Sequence, residues 1–131
     1  MKFNLAPNTK ISAIKNQFAA FFPFLKLEFY QLHHRRNESS STDSIFIDDL
    51  SLAELGVCAS NSVFSFNPST TIAEFEQGLQ NGYNLPVQVF RRAGGVWLET
   101  VQSDYLTLQK QNEMGEQSLT VERYNAENEM L

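Results

Sequence analysis

The chain has 131 residues, of which 42% are hydrophobic and 19% are charged, with a formal net charge of −5 at pH 7. This composition is typical of one folded domain, and the acidic excess argues against nucleic acid or an acidic membrane surface as a partner. The lack of both a signal peptide and an apolar run of about 18 residues, together with a single cysteine that allows no internal disulfide, predicts a cytoplasmic protein.

The first elements alternate between strand and helix patterns. Phe3 and Leu5 predict a half-buried strand, and Thr9 is predicted to cap the helix that follows. Apolar side chains then recur on one helical face until Pro23 ends the helix. Alternation over residues 25–30 predicts a second strand.

A polar segment separates these elements from a short helix. Residues 33–44 contain no apolar side chain and predict a loop, and residues 45–47 predict a short strand. Residues 48–56 predict a short helix that Asp48 caps and Gly56 ends.

The second half repeats this plan from residue 62. Phe64 and Phe66 alternate in a predicted strand, and Thr71 with Glu74 forms a capping-box pattern at the start of a helix. The strand from Val87 is predicted to turn at Gly94-Gly95, because glycine accepts the positive φ of tight hairpins, and to return over 96–101. Asp104 is predicted to cap a second short helix.

A constant offset of 61 residues relates the two halves. The matched pairs are Phe3 with Phe64, Leu5 with Phe66, Pro7 with Pro68, Ile11 with Ile72, Ile14 with Phe75, Phe18 with Leu79 and Phe22 with Tyr83. The offset becomes 62 after Pro86, so that Leu27 matches Val89, and later 56, so that Asp48 matches Asp104. Matched apolar positions indicate matched core positions.

These patterns predict one α+β domain over residues 1–114, built from repeats 1–58 and 62–114, with an acidic, flexible tail over 115–131. Each repeat is a β-α-β-β unit with a short helix. Because a β-α-β crossover makes its strands parallel, we expect a two-layer sandwich with helices on one face of a mixed sheet. Ferredoxin-like and β-grasp-like arrangements are the alternatives.

The candidate binding residues form two groups. The basic cluster His33, His34, Arg35 and Arg36 could bind an anion, although adjacent histidines point to opposite sides and no spaced third ligand predicts a metal. Across the glycine turn, Arg91 and Arg92 could lie over the Trp97 indole in a cation–π contact. Trp97 is interpreted as core or, if exposed, as a binding hot spot with Tyr105.

The remaining reactive side chains have structural interpretations. Asp48, Asp49 and Asp104 could supply paired carboxylates for acid–base catalysis, but their positions before helices favour capping. Cys58 is interpreted as a small buried side chain. No Walker loop, GxSxG, HExxH or CxxC motif occurs. The sequence therefore predicts no catalytic residue, metal or cofactor, and favours a non-catalytic protein over an enzyme.

The segment VQVFRRAGGVWLET followed by LTLQKQNEMG resembles a group of short uncharacterised bacterial proteins. The matching positions are Trp97, Leu98, Glu99, Thr100, Thr107, Leu108, Gln111 and Asn112. The resemblance implies no known activity. The run from Phe64 to Leu98 also resembles the helix-and-hairpin half of ubiquitin-like interaction domains.

Two functional hypotheses follow. The first is a protein–protein interaction or assembly module that binds another protein or forms a homodimer, since the chain is rich in aromatic residues and offers sheet edges for pairing. The alternative is a small-molecule-binding or enzymatic domain with a pocket between the two repeats.

Overall fold

The computed structural model describes residues 1–30, 48–57 and 60–129. In this part of the chain the elements are β1 (Lys2–Leu5), α1 (Ile11–Phe21), β2 (Leu25–Phe29), β3 (Ser62–Ser65), α2 (Ile72–Tyr83), β4 (Val87–Ala93), β5 (Val96–Glu99) and α3 (Leu108–Glu129). Helices pack against sheets, so the predicted α+β class is confirmed. The predicted loop 33–44 and strand 45–47, with Cys58, lie outside the described residues.

The described strands form two antiparallel sheets, β1–β3 and β2–β4–β5, instead of the single mixed sheet that the sequence predicts. The prediction assumed that the two strands of each β-α-β unit share a sheet. Here each unit places its two strands in different sheets, and each strand pairs with its counterpart from the other half. The ferredoxin-like and β-grasp-like alternatives both assume one sheet and do not describe this division.

Each sheet is centred on a pair of residues that the predicted repeat matches between the two halves. Phe3 lies opposite Phe64 in the β1–β3 pair, and Leu27 lies opposite Val89 in the β2–β4 pair. An antiparallel pair in which matched residues face each other has a local two-fold axis through that position. The β4–β5 hairpin turns at Gly94, which has a φ of +60°, as the Gly-Gly pattern predicts.

Main-chain carbonyls bind the first free N–H groups of α1 and α2 in the same way. Asp48 accepts a hydrogen bond from the N–H of Ser12 at 3.0 Å, and Asp104 accepts one from the N–H of Ala73 at 2.9 Å. A second matched pair of bonds, at 3.0 Å, joins Ile11 N–H to Leu50 O and Ile72 N–H to Leu106 O. These matched contacts agree with a repeated unit, and the duplication itself stays a prediction.

The predicted caps at the two aspartates are wrong, because side-chain caps occur three residues later. The Ser51 hydroxyl accepts the N–H of Glu54 at 3.1 Å, and the Thr107 hydroxyl accepts the N–H of Lys110 at 3.0 Å. Residues 52–56 form turns, where a short helix was predicted.

At the start of the two long helices, one predicted cap is confirmed and one is wrong. The Thr71 and Glu74 capping box is present, with bonds of 3.1 and 2.9 Å. The N-cap of α1 is Lys10, whose side chain makes no capping bond. Thr9 instead closes the preceding turn, since its hydroxyl accepts the N–H of Ala6 at 2.9 Å.

Phenylalanine rings from both halves fill the core. Phe18 and Phe75, on α1 and α2, have ring centroids 5.2 Å apart, and Phe3 lies 6.1 Å from Phe75. All three rings are fully buried. Phe18 and Leu79, which the repeat predicts to be equivalent, are both fully buried. The two halves therefore share one core.

The last helix extends the folded part beyond residue 114, where the sequence predicts a tail. Gly115 is buried against the chain before β2, and the Ser118 hydroxyl accepts the N–H of Gly94 at 3.0 Å. Ser118 also donates to the carbonyl of Arg92 at 3.2 Å. The weak apolar periodicity of this segment hid a helix that approaches β4 through a glycine and a serine.

Candidate functional site

The outer face of the β2–β4–β5 sheet carries a cluster of cations and aromatic rings. The antiparallel register places Lys26 opposite Phe90 and Arg92 opposite Trp97. Since side chains alternate along a strand, all four lie on the sheet face that points away from the buried Leu27 and its neighbours. We call these four residues the cation–aromatic face.

Two cations contact the Trp97 indole in this cluster. The guanidinium of Arg92 lies 5.1 Å from the ring centroid, and Lys26 Nζ lies 5.2 Å away. Lys26 Nζ is also 5.2 Å from the Phe90 ring and 3.7 Å from a carboxylate oxygen of Glu28. The predicted arginine–indole contact is therefore present through Arg92. Trp97 is half-buried on this face and is not part of the buried core.

Arg91 does not join the cluster. It lies one position along β4, on the opposite sheet face, and its Nη1 donates to the Arg92 carbonyl at 3.0 Å. The other predicted binding residues, His33, His34, Arg35 and Arg36, lie outside the described residues.

The outward edge of β5 is free of main-chain partners in the described structure. The N–H of Arg92 binds the Phe24 carbonyl at 3.0 Å, away from β5, so Arg92 and Trp97 form a non-hydrogen-bonded pair. The main-chain groups of Trp97, and of Glu99 two residues on, therefore point away from β4. Such an edge can pair with another strand.

Large apolar side chains are concentrated along this edge and the turn that follows it. The exposed fractions are 58% for Val96, 45% for Leu98, 55% for Val101 and 71% for Tyr105. Tyr105 is predicted from the sequence as a binding hot-spot residue if it is exposed, whereas the other three are not proposed there as binding residues. Their alternation in β5 is short, and only the observed strand order reveals that β5 is an edge.

A second polar cluster lies where β5 ends, around the main-chain N–H and C=O groups of Val89 in β4. The Glu76 carboxylate of α2 accepts the N–H of Val89 at 2.8 Å, and the Thr100 hydroxyl donates to the Val89 carbonyl at 2.8 Å. Burial raises the pKa of the Glu76 carboxyl to about 6; the Val89 hydrogen bond opposes this rise, and the charge of Asp104 adds to it. Burial, and then the charges of Glu99 and Glu76, raise the pKa of Tyr30.

The matched position in the first half carries the opposite charge. Lys15 matches Glu76, and its Nζ lies 3.0 Å from Glu28 and 3.1 Å from Asp48. Burial lowers the pKa of Lys15, but its bonds to the two carboxylates outweigh burial and leave the pKa raised. In the second half, Glu76 has no cation beside it among the described residues, and the nearby charge of Asp104 adds to the rise of the Glu76 pKa.

Two surface cavities lie at the small sheet. One of about 560 Å³ is formed by β1, α1 and the end of β3, with the lining residues Met1, Lys2, Asn4, Gln17, Phe21, Ser65 and Phe66. The other, of about 340 Å³, lies beside β1 and the start of β3. Glu76 lines neither cavity, and one of its carboxylate oxygens, Oε2, accepts the N–H of Val89. The cavities present amide, hydroxyl and ammonium groups suited to binding.

Residues that carry the sequence resemblance have structural contacts. Asn112 Oδ1 accepts the N–H of Phe24 at 2.8 Å, Gln111 Nε2 donates to the Ser103 hydroxyl at 2.8 Å, and Leu108 is buried. Thr107 caps α3. The second part of the pattern thus fixes α3 against the sheet, whereas Trp97, Leu98 and Glu99 of the first part lie at the surface.

No protein family, curated protein or solved structure compared with this chain shows a significant similarity to it. Among residues 1–30, 48–57 and 60–129, no three histidine, cysteine or carboxylate side chains come together as a metal site would require. None of the helices in these ranges has the length and apolar character needed to cross a membrane.

Proposed function

We propose that this chain is a non-catalytic protein-interaction module that binds through the β5 edge. The observation that carries the proposal is the coincidence of unpaired main-chain groups at Trp97 and Glu99 with exposed apolar side chains at Val96 and Leu98. A partner strand added to this edge would satisfy the main-chain groups and cover the apolar side chains.

The cation–aromatic face supports binding at the same edge, because Trp97 belongs to β5. Trp97 is held by Arg92 and Lys26, so a partner meets a ring whose orientation is already fixed. Fixing a side chain before association lowers the entropy cost of ordering it in the complex. Tryptophan and arginine are also the residues most often found at binding hot spots.

Capture from the source cells tests the proposal. Tagged wild-type chain is compared with Leu98→Asp, which places a charge on the β5 edge, and with Val63→Asp, which makes the same change at an exposed residue of β3. We expect Leu98→Asp to lose the proteins that wild type and Val63→Asp retain. If all three chains retain the same proteins, β5 is not the binding edge.

The alternative function, binding of a small molecule between the halves, is favoured by the cavity of about 560 Å³, because the first half contributes β1 and α1 to it and the second contributes Ser65. Volumes of this size are usual for ligand sites. Ligand-detected NMR with a fragment library tests it, with Asn4→Trp to fill the cavity and Tyr105→Trp as the distant control. Binding that survives Asn4→Trp would rule this site out.

A further inference from the structure

We infer that the β5 edge binds β5 of a second copy of this chain, antiparallel and centred on Leu98, so that two three-stranded sheets join into one sheet of six strands. This inference rests on the proposed function, since it names the partner of the same edge. It draws on the direction of the main-chain groups, the charges beside them and the apolar side chains between them.

The main chain allows few registers. Only Trp97 and Glu99 of β5 direct their N–H and C=O groups outward, because their partners on β4, Arg92 and Phe90, face β2. In an antiparallel pair of β5 strands, the residues that form hydrogen-bonded pairs must therefore be Trp97 or Glu99 of each copy. Centring on Leu98 places Trp97 of each copy opposite Glu99 of the other, so both outward residues of each strand are paired.

The charges favour the register centred on Leu98 over the register centred on Trp97. Neither Arg92 nor Glu99 forms an ion pair within the described structure. Strands lie about 4.8 Å apart, so the Leu98-centred pair puts Glu99 of one copy two strands, or roughly 10 Å, from Arg92 of the other at the main chain. Their long side chains can meet over the Trp97 ring. Centring on Trp97 leaves both guanidinium groups without a carboxylate.

The opposite face of the joined sheet supplies the apolar contact. Leu98 of each copy meets Leu98 of the other in a non-hydrogen-bonded pair, in which Cβ atoms approach to about 5 Å. This covers a side chain that is 45% exposed in the single chain. Four residues of strand bury less area than the roughly 1,200 Å² of a stable complex, so we expect a weak dimer that forms as concentration rises.

Sedimentation velocity from about 10 µM to about 1 mM tests the dimer, in the range where small interfaces associate. The purified chain should shift from a mass of 14.9 kDa towards twice that value. Single charge reversals, Arg92→Glu or Glu99→Arg, should weaken association at least about tenfold. The double reversal should restore association, because the ion pair re-forms with its positive and negative residues exchanged. Recovery in the double variant excludes misfolding as the cause of the single losses.

Disulfide trapping tests the register. In a Cys58→Ser background, Leu98→Cys should cross-link two chains under mild oxidation, because the Cα separation of a non-hydrogen-bonded pair, about 4.5 Å, lies within the range that a disulfide spans. Val63→Cys, at a position of β3 with similar exposure (51% against 45%), is the control and should stay uncross-linked. If the chain stays monomeric over the whole concentration range, this inference is wrong. If Leu98→Asp nevertheless loses a cellular protein that wild type captures, the proposed function still stands. Dimers without the Leu98→Cys cross-link overturn the register.

Discussion

Replacing Glu76 by glutamine is expected to stabilise the protein near neutral pH and to remove a pH dependence of its stability. The pKa of this carboxyl rises from the usual 4.5 to about 6 on folding. The folded state therefore binds the proton more tightly than the unfolded state. The contribution of Glu76 to the free energy of unfolding is fully present below pH 4.5 and is lost as pH rises through about 6.

The magnitude follows from the same values. A rise from 4.5 to about 6 corresponds to about 2 kcal/mol, which solvent screening of this part-exposed group reduces to about 1 kcal/mol. Glutamine keeps an oxygen that can accept the N–H of Val89 and removes the charge that faces Asp104. We therefore expect Glu76→Gln to raise the free energy of unfolding by about 1 kcal/mol above pH 7, with no gain below pH 4.5.

Urea unfolding of wild type and Glu76→Gln over this pH range measures the difference directly. Subtracting the two curves cancels the titration of every other carboxyl. Glu116→Gln, at an exposed position of α3, is the matched control for the loss of one carboxyl. A difference for Glu76→Gln that is flat with pH would show that its charge is fully solvated, and the argument from burial would fail.

The remaining predictions concern packing and capping. Ile11→Ala and Ile72→Ala, both at fully buried and matched positions, should each cost about 2–5 kcal/mol of unfolding free energy in urea titrations, and a loss below about 0.5 kcal/mol at either would contradict their equivalence. Gly115→Ala should destabilise, because its Cβ would lie 2.9 Å from a backbone carbonyl, whereas Gly82→Ala, which meets nothing within 4 Å, should stabilise α2 by up to about 1 kcal/mol; equal changes in melting temperature would refute the close approach of α3. Thr71→Ala should cost about 1 kcal/mol through loss of the capping box, and an unchanged melting temperature would contradict that bond.

The sequence predicted local structure well where a period and a stop signal coincided. The face of Ile11, Ile14 and Phe18, ended by Pro23, is a helix because those positions meet the core every three or four residues. Gly94 marked its hairpin because a positive φ is needed there. Such signals depend only on neighbours along the chain.

Sheet partners could not be predicted, because strand pairing is set by contacts between distant residues. Phe3 faces Phe64, and nothing local in either segment specifies that partner. The same limitation hid the candidate site. Lys26 reaches Trp97 only through the β2–β4–β5 order, and Glu76 acquires its raised pKa only when α2 lies against β4.

The pairing of strands between the two halves has a consequence for synthesis of the chain. When β1 leaves the ribosome it has no partner, and β2 must wait until residues near Val89 emerge. Neither sheet can assemble early, so the rings of the first half stay exposed to solvent or to chaperones until most of the polypeptide is made. Severing the chain in the link before β3 should leave two fragments that are each unstructured and that regain the fold only when mixed.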